Sequence, residues 1–244
     1  MDKVSISSLV IEVTRKCNME CDHCMRGKAE NLDMDLNLVR SFFSQVESIG
    51  ALTFTGGEPS LVPHIIDGII EIAKEMQIPV DSFYIVTNAK KVTDEWLKTI
   101  LNVHLYCSDG EDMNRISISN DGFHEEPDNE NIKKLMAFRF TEKRHAQDYY
   151  NYDGGKNLIR EGNAALNFCC NRDMEPKEVI IDEWNTIDDL VFNCKGNFIS
   201  DCDLSFKTQD DKESGFIIGN VNDKNFNLKK AVEKYNKKFE TVTA

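Results

Sequence analysis

The sequence predicts an α/β protein built on a mainly parallel sheet. Short apolar runs rich in β-branched residues alternate with longer segments in which apolar residues recur at helical spacing. Each predicted strand ends in residues typical of turns and binding loops, namely cysteine, glycine or asparagine. Because the carboxyl ends of parallel strands lie at one edge of a sheet, we expect these loops to come together there.

Four strand-then-helix units account for this prediction. The strands are expected at residues 8–14, 51–55, 80–87 and 115–119. A first helix is expected over residues 35–48, from apolar residues that include Val46 and Ile49. Ser60 can cap the second helix, and Thr93, followed by two acidic residues, can cap the third. Residues 135–140 are a further candidate strand.

The pattern changes in the last third of the chain. Short strands are expected at residues 179–181 and 190–192, and Lys195-Gly196-Asn197 is typical of a hairpin turn leading into residues 198–200. An amphipathic helix is expected over residues 225–239. We therefore divide the chain at residue 145, into a core over residues 1–145 and a β-rich extension over residues 146–244.

The amino-acid composition argues against some classes of function. The 29 Lys and Arg residues against 42 Asp and Glu residues give a net charge of −13, which argues against binding to nucleic-acid phosphates or to an anionic membrane. The sequence has neither a spanning apolar segment nor a signal peptide, so we expect a cytoplasmic protein. In a reducing compartment the eight cysteines would be packing residues, nucleophiles or metal ligands.

Three of these cysteines are close together, immediately after the first predicted strand. Cys17, Cys21 and Cys24 lie on one loop and can converge on one inorganic centre. A structural zinc ion takes four ligands, so zinc would need a ligand from elsewhere, and that alternative stays open. A [4Fe-4S] cluster has four irons, so three cysteines would leave one iron open to an exogenous ligand.

The spacing C-x3-C-x2-C resembles that of the radical S-adenosylmethionine (radical SAM) enzymes. Gly56-Gly57-Glu58-Pro59, which follows the second predicted strand, is similar to the glycine-rich turn of that family. The resemblance implies a partial (β/α)6 radical SAM barrel with a small C-terminal β-hairpin and helix extension of the Twitch type. It also implies a [4Fe-4S] cluster on the three cysteines, and reductive cleavage of S-adenosylmethionine to a 5′-deoxyadenosyl radical that abstracts hydrogen from a substrate.

The same resemblance implies further cofactor-binding residues. They are His23 near the adenine, the turn residues Gly56, Gly57 and Glu58, and the strand-end residues Asn88, Ser117, Ser119 and Asp121. Alternatively, His23 makes a hydrogen bond to the residues that bind the metal group, or is itself an alternative metal ligand. The strand-end residues would then only form hydrogen bonds with nearby backbone groups.

A second group of cysteines lies in the extension. The segment that contains Cys194 and Cys202 resembles the hairpin of SPASM and Twitch extensions, which bind auxiliary iron–sulfur clusters. The candidate ligands of such a cluster are Cys170, Cys194 and Cys202, while zinc or no metal are the alternatives. Five residues rather than the family's four separate Gly196 from Cys202, and the side chains of adjacent Cys169 and Cys170 diverge. Cys107 is expected to pack as a small apolar residue.

The leading interpretation is a radical SAM oxidoreductase that acts on a small peptide or a small molecule, with an electron donor such as flavodoxin or ferredoxin. One alternative is a compact enzyme similar to 7-carboxy-7-deazaguanine synthase or to a glycyl-radical activase. Another is an iron–sulfur or zinc protein without catalytic activity. Phe123, His124 and Glu125 either face the cavity or lie in a solvated loop.

Overall fold

The computed structural model describes residues 3–107, 113–120, 123–126, 128–145 and 157–240. Its strands are β1 (Val4–Thr14), β2 (Val46–Gly56), β3 (Val80–Thr87), β4 (Arg115–Asn120), β5 (Thr141–His145), β6 (Thr186–Phe192), β7 (Asn197–Ile199) and β8 (Ile217–Asn220). Its α-helices are α1 (Leu36–Phe43), α2 (Pro63–Glu75), α3 (Asp94–Tyr106), α4 (Asn129–Leu135), α5 (Gly162–Asn167), α6 (Phe206–Asp210) and α7 (Leu228–Glu240). None of the helices in these ranges is long and apolar enough to cross a membrane.

All of these strands form one sheet, in the order β5-β4-β3-β2-β1-β6-β7-β8. The pairs among β1 to β6 are parallel, and β7 and β8 continue the sheet as antiparallel strands. Over the described ranges the sheet is open, with β5 at one edge and β8 at the other. The predicted α/β class is confirmed, and an open parallel sheet of this kind is compatible with a partial barrel.

The first predicted helix is shorter in the structure. Helix α1 begins after Asp35, whose side chain accepts a hydrogen bond from the Asn37 amide, and it ends at Phe43. Val46 and Ile49 belong to β2, where they pair with Val4 and Ile6 of β1. The prediction was wrong here because Val46 and Ile49 are three residues apart, which fits one face of a helix, although in the structure both are buried residues of a strand.

Two other predicted strands are corrected. Leu135 is the last residue of α4, residues 136–140 follow it, and β5 begins only at Thr141. Residues 179–181 are not a strand. Ile181 makes only an isolated bridge to Ile187, which belongs to β6. Both segments contain buried apolar residues, and such residues can pack in the core without pairing in the sheet.

The caps of the second and third helices differ in how well they were predicted. Thr93 accepts a hydrogen bond from the Trp96 amide and caps α3, as predicted. Ser60 lies inside a short 3-10 helix that precedes α2, and the side chain of Glu58 caps this turn instead. Helix α2 itself begins after Val62, whose side chain makes no capping hydrogen bond, so the predicted cap by Ser60 was wrong.

The C-terminal strands are joined directly to the N-terminal ones. Strand β6 lies beside β1, with Leu9 opposite Leu190 and Ile11 opposite Phe192. The Phe42 ring packs 4.9 Å from both the Phe192 and Phe198 rings, measured between centroids. The strands of the predicted extension therefore share a sheet and a hydrophobic core with the first strand of the chain.

Candidate functional site

The three cysteines lie on a segment that we call the cysteine loop, residues 15–30, which follows β1. Tight turns organise it, since the Cys24 amide donates to the Cys21 carbonyl at 3.2 Å and the Gly27 amide to the Cys24 carbonyl at 3.3 Å. The Arg15 amide donates to the Leu32 carbonyl at 2.8 Å where the loop begins. The loop thus turns back on itself beside the carboxyl end of β1.

The glycine turn after β2 supports this loop. The Gly57 amide donates to the Thr14 carbonyl at 2.7 Å, and the Glu58 amide donates to the Lys16 carbonyl at 2.8 Å. A Cβ atom on Gly56 would lie 2.0 Å from the Thr14 oxygen, and one on Gly57 would lie 2.0 Å from the Lys16 oxygen. Gly56 also has a φ of +136°. Close approach to the cysteine loop therefore requires both glycines, whatever the cofactor adds.

Glu58 connects the turn to the end of β3. Its carboxylate is 2 % exposed. Oε1 accepts hydrogen bonds from the Thr87 hydroxyl at 2.6 Å and from the Ser60 amide at 3.1 Å, while Oε2 accepts from the Asn88 amide at 2.8 Å. The Asn88 side chain in turn donates to Oδ1 of Asn18 on the cysteine loop at 2.8 Å. Three neighbouring loops are thereby held in one arrangement.

These groups surround a pocket of about 410 Å³ at the carboxyl ends of β2, β3 and β4. The predicted site residues that line it are Cys17, Cys21, His23, Cys24, Gly56, Gly57, Glu58, Asn88 and Ser119. Ser117 does not line it; its hydroxyl donates to Glu142 of β5 at 2.8 Å. Asp121 lies outside the described residues. The C-terminal half contributes Leu158, Arg172 and Asp203 to the same pocket.

The spacing of the three thiols bears on which metal group they could hold. Among the described residues, the only three His, Cys, Asp or Glu side chains whose ligand atoms all lie within 4.8 Å of one another are Asp201, Cys202 and Asp203. Around a single zinc ion, Zn–S bonds of about 2.3 Å would place the sulfurs about 3.8 Å apart. At least one pair of the ligand atoms of Cys17, Cys21 and Cys24 is therefore more than 4.8 Å apart, a spacing that a multi-iron cluster can accommodate.

The electrostatics of the loop are unusual for an acidic protein. A second cavity, of about 300 Å³, is lined by the three cysteines together with Arg15, Arg26 and Lys28. Burial raises the pKa of the Cys17 thiol. The cavity therefore combines ligands that a metal group would convert to thiolates with cations that can balance the resulting negative charge.

Arg15 is a fully buried cation at the start of the cysteine loop. Its guanidinium donates to Glu12 at 2.8 Å, to Glu30 at 3.0 Å and, through two nitrogens, to Asp210 at 2.7 and 2.9 Å. Burial opposes its charge, but the contacts with Asp210 and Glu12 outweigh burial and raise the pKa of Arg15. It connects β1, the cysteine loop and α6, and no pattern in the sequence indicates this role.

Helix α5 packs directly on the cysteine loop. The Asn163 amide donates to the Cys24 carbonyl at 2.9 Å, and its side chain donates to the Cys21 carbonyl at 3.1 Å. Gly162, with a φ of +53°, allows this approach, because a Cβ atom there would lie 2.3 Å from the Met25 carbonyl oxygen. Asn163 was not among the predicted site residues, because only the folded chain brings it to the cysteine loop.

His23 lies in an aromatic group beside the pocket. Its ring centroid is 4.9 Å from that of Phe123 and 4.5 Å from that of His124. His124 lines the main pocket, whereas Phe123 and Glu125 line an adjoining cavity of about 250 Å³. Lys90 pairs with Glu125 at 2.5 Å. This segment therefore lies at the cavities, as one of the two interpretations of the sequence required.

The cysteines of the second group pack in three separate places. The Cys194 thiol lies in the main core and donates to the Glu12 carbonyl at 3.1 Å. The Cys170 thiol packs with Leu158 and donates to the Ala164 carbonyl at 3.2 Å. Cys202 packs against a third cluster, and burial, reinforced by Asp203, raises its pKa to about 12. Burial also raises the pKa of Cys170 and Cys194.

Comparison with known families identifies the N-terminal part of the chain. Residues 11–146 match the model of the radical SAM superfamily. The chain belongs to this superfamily. The radical SAM match covers the cysteine loop, the glycine turn and the strands β2 to β5. The resemblance drawn from C-x3-C-x2-C is thereby confirmed at the level of the superfamily, whose members are S-adenosylmethionine-dependent enzymes.

Individual relatives are more distant. The uncharacterized protein MJ0907 of Methanocaldococcus jannaschii is 27% identical over 115 residues, which are 44% of this chain and 40% of that protein. The match thus spans about two fifths of the length of this curated relative. Two solved structures of native anSMEcpe, with bound AdoMet and a Cp18Cys or Kp18Cys peptide, each cover 97% of this chain. Their TM-scores are 0.57 and 0.58 at 11% and 12% identity, over 82% of the anSMEcpe chain, and they show a shared fold.

Proposed function

We propose that this radical SAM protein holds a [4Fe-4S] cluster on Cys17, Cys21 and Cys24, binds S-adenosylmethionine in the 410 Å³ pocket and abstracts hydrogen from a substrate. The observation that carries the proposal is that the three thiols, the glycine turn and the ends of β3 and β4 line one pocket. In an open parallel sheet, ligands bind at this edge.

When bound, the cluster would supply the electron that cleaves S-adenosylmethionine reductively. The described residues would provide binding, orientation and exclusion of water. Gly56 and Gly57 keep the cysteine loop against the end of β2, while Glu58 and Asn88 keep the end of β3 against the same loop. The proposed cofactor ligands, including His23, Ser119 and, outside the described residues, Asp121, would complete the site.

We further propose a small peptide as substrate, with flavodoxin or ferredoxin as electron donor, in the cytoplasm. The peptides named for the two anSMEcpe structures support this choice, as does the pocket wall that the C-terminal half provides through Leu158, Arg172 and Asp203. A small molecule remains the alternative substrate.

The proposed division of the chain assigns the radical chemistry to residues 1–145 and a Twitch-like extension to residues 146–244. A second cluster on Cys170, Cys194 and Cys202 stays a prediction of that extension. After anaerobic reconstitution, about eight irons per chain would support two clusters, and about four would leave only the one at the cysteine loop.

The proposed function is tested by product formation. The protein is reconstituted anaerobically with iron and sulfide and then incubated with dithionite and S-adenosylmethionine, and 5′-deoxyadenosine is measured by chromatography. We expect the product from the wild type and from a Cys169→Ala control, because that thiol is exposed and outside the pocket. Equal product from a variant with Cys17, Cys21 and Cys24 all changed to alanine would refute the proposal.

A further inference from the structure

Arg26 is a buried cation that makes no ion pair with a carboxylate in the described part of the chain. It lies two residues after Cys24 and is 8 % exposed. One guanidinium nitrogen, Nη1, donates to the Leu204 carbonyl at 2.8 Å. Among the described residues it forms no ion pair, although Asp203 lines the same pocket. Since a guanidinium carries five N–H donors, most of its hydrogen-bonding capacity is unused by the protein.

Arg15 and Arg26 differ in how their buried charges are compensated. Arg15 is also buried, but three carboxylates surround it. Removing a cation from water is unfavourable unless a negative charge compensates it. Within the described ranges the Arg26 side chain donates only to a backbone carbonyl, so its charge is available to an anion that is bound nearby.

The free donors of Arg26 face the cavities of the cysteine loop. None of its nitrogens is among the fully enclosed side-chain atoms that lack a hydrogen bond in the described residues. Arg26 lines both the 410 Å³ pocket and the 300 Å³ cavity, and the three cysteines line both as well. An anionic group that is held by the three thiolates would therefore share a cavity with this guanidinium.

We propose that Arg26 is a positioning residue that provides the counter-charge of the cluster on Cys17, Cys21 and Cys24 and raises its reduction potential. The inference rests on the proposed function, which places a [4Fe-4S] cluster there. The three thiolates make the bound cluster an anion, and one-electron reduction adds another negative charge. A nearby cation in a water-poor cavity stabilises the reduced form more than the oxidised form, so it favours uptake of the electron.

The test is a redox titration of the reconstituted protein, followed by electron paramagnetic resonance in the absence of S-adenosylmethionine. We expect the midpoint potential of Arg26→Gln to shift to more negative values, and that of Arg26→Lys to stay near the wild-type value because the charge is kept. Arg40→Gln is the matched control, since Arg40 is exposed, pairs with Glu75 and lines neither cavity of the cysteine loop. Its potential should remain that of the wild type.

The outcomes separate this inference from the proposed function. If the wild type assembles no cluster, the proposed function fails and the inference with it. If the wild type assembles a cluster and Arg26→Gln keeps its potential, the inference alone is overturned, even when S-adenosylmethionine binding weakens, because the anion would then be the cofactor's carboxylate. Arg26→Gln could also lose its iron. In that case, an Arg26→Lys variant that keeps both its iron and the wild-type potential supports the counter-charge. Loss of iron from both variants overturns the counter-charge and indicates a structural contact with Leu204.

Discussion

The buried carboxylate of Glu58 accepts three hydrogen bonds that join the glycine turn to the end of β3. Changing Glu58 to Gln replaces one acceptor oxygen with a donor, so either the Thr87 hydroxyl or the Asn88 amide loses its buried acceptor. We expect the free energy of unfolding to fall by about 1–3 kcal/mol, measured by urea denaturation. Glu71→Gln is the control, because Glu71 pairs with Lys74 at the surface and should change stability little. Equal stability of E58Q and the wild type would contradict the role of this carboxylate.

Cys194 provides a test of thiol chemistry at the same scale. Burial, followed by the nearby Glu12 carboxylate, raises its pKa well above the ordinary range, so the reactive thiolate is scarce even at pH 9. Alkylation of the metal-free protein by iodoacetamide, followed by mass spectrometry, should label exposed Cys169 first and leave Cys194 unlabelled until the protein is denatured. Rapid labelling of Cys194 at pH 8 would show that this thiol is not packed as the structure has it.

The site residues that the sequence could predict are those with a local signal. Cys17, Cys21 and Cys24 are recognisable from their spacing, and the glycine turn from its composition. Arg26 and Asn163 carry no such signal, because their significance comes from Leu204 and from the cysteine loop, which only the folded chain brings near them. Ser117 and Ser119 are indistinguishable by pattern, yet only Ser119 lines the pocket.

At the scale of elements, an ion pair between Asp210 and Arg15 joins α6 to the cysteine loop, and its strength depends on pH. Burial acts to raise the pKa of Asp210, but hydrogen bonds from Arg15 and Lys195 outweigh it and lower this pKa. A lowered carboxyl pKa contributes stability above the unfolded value of about 3.9, and this contribution is lost as the pH falls through the folded value.

The Asp210→Asn variant isolates this contribution. We expect it to be less stable than the wild type by about 2 kcal/mol at pH 7, since it loses charged hydrogen bonds to a buried guanidinium. The difference should begin to shrink below about pH 4 and should vanish below the lowered folded pKa of Asp210, because wild-type Asp210 is then also neutral. Urea denaturation of both proteins from pH 7 to pH 3 measures it, and a difference that is independent of pH would contradict the electrostatic explanation.

Helix α5 is expected to control how firmly the cysteine loop holds its metal. Asn163→Ala removes the hydrogen bond to the Cys21 carbonyl, so the loop should release iron faster to a chelator, by several fold for a loss of about 1 kcal/mol. Asn102→Ala is the control, because the Asn102 side chain donates to Asp67 and makes no contact with the cysteine loop among the described hydrogen bonds. Identical release rates from wild type and N163A would show that α5 does not secure the loop.

The elements themselves were predictable where the sequence has a single periodicity. Strand β3 and the Thr93 cap of α3 lie where the pattern placed them. The prediction failed at residues 46–49 and 135–140, since buried apolar residues there fit a helix and a strand equally well. In both places the pairing of β2 with β1 and of β5 with β4, which involve residues distant in sequence, decides the outcome.

At the scale of the whole molecule, the two ends of the chain depend on each other. Strand β1, which leads into the cysteine loop, lies between β2 and β6, so one of its two neighbouring strands comes from residues after 185. Phe192 and Phe198 cover Phe42, and each of these rings is completely buried. No pattern in the sequence assigns β6 to β1, because parallel partners can be any distance apart along the chain.

This interdependence predicts the behaviour of a shortened chain. A chain of residues 1–145 contains the whole proposed core, but it would expose one edge of β1 and the faces of Leu9, Ile11 and Phe42 that β6 and β7 cover. We expect it to aggregate or to unfold without a cooperative transition, as followed by circular dichroism in urea. A chain of residues 1–240 keeps β6, β7 and β8 and is the control that should unfold cooperatively. If residues 1–145 alone showed the same cooperative transition as the control, the N-terminal part would be an independent unit, and the pairing of β1 with β6 would contribute little to its stability.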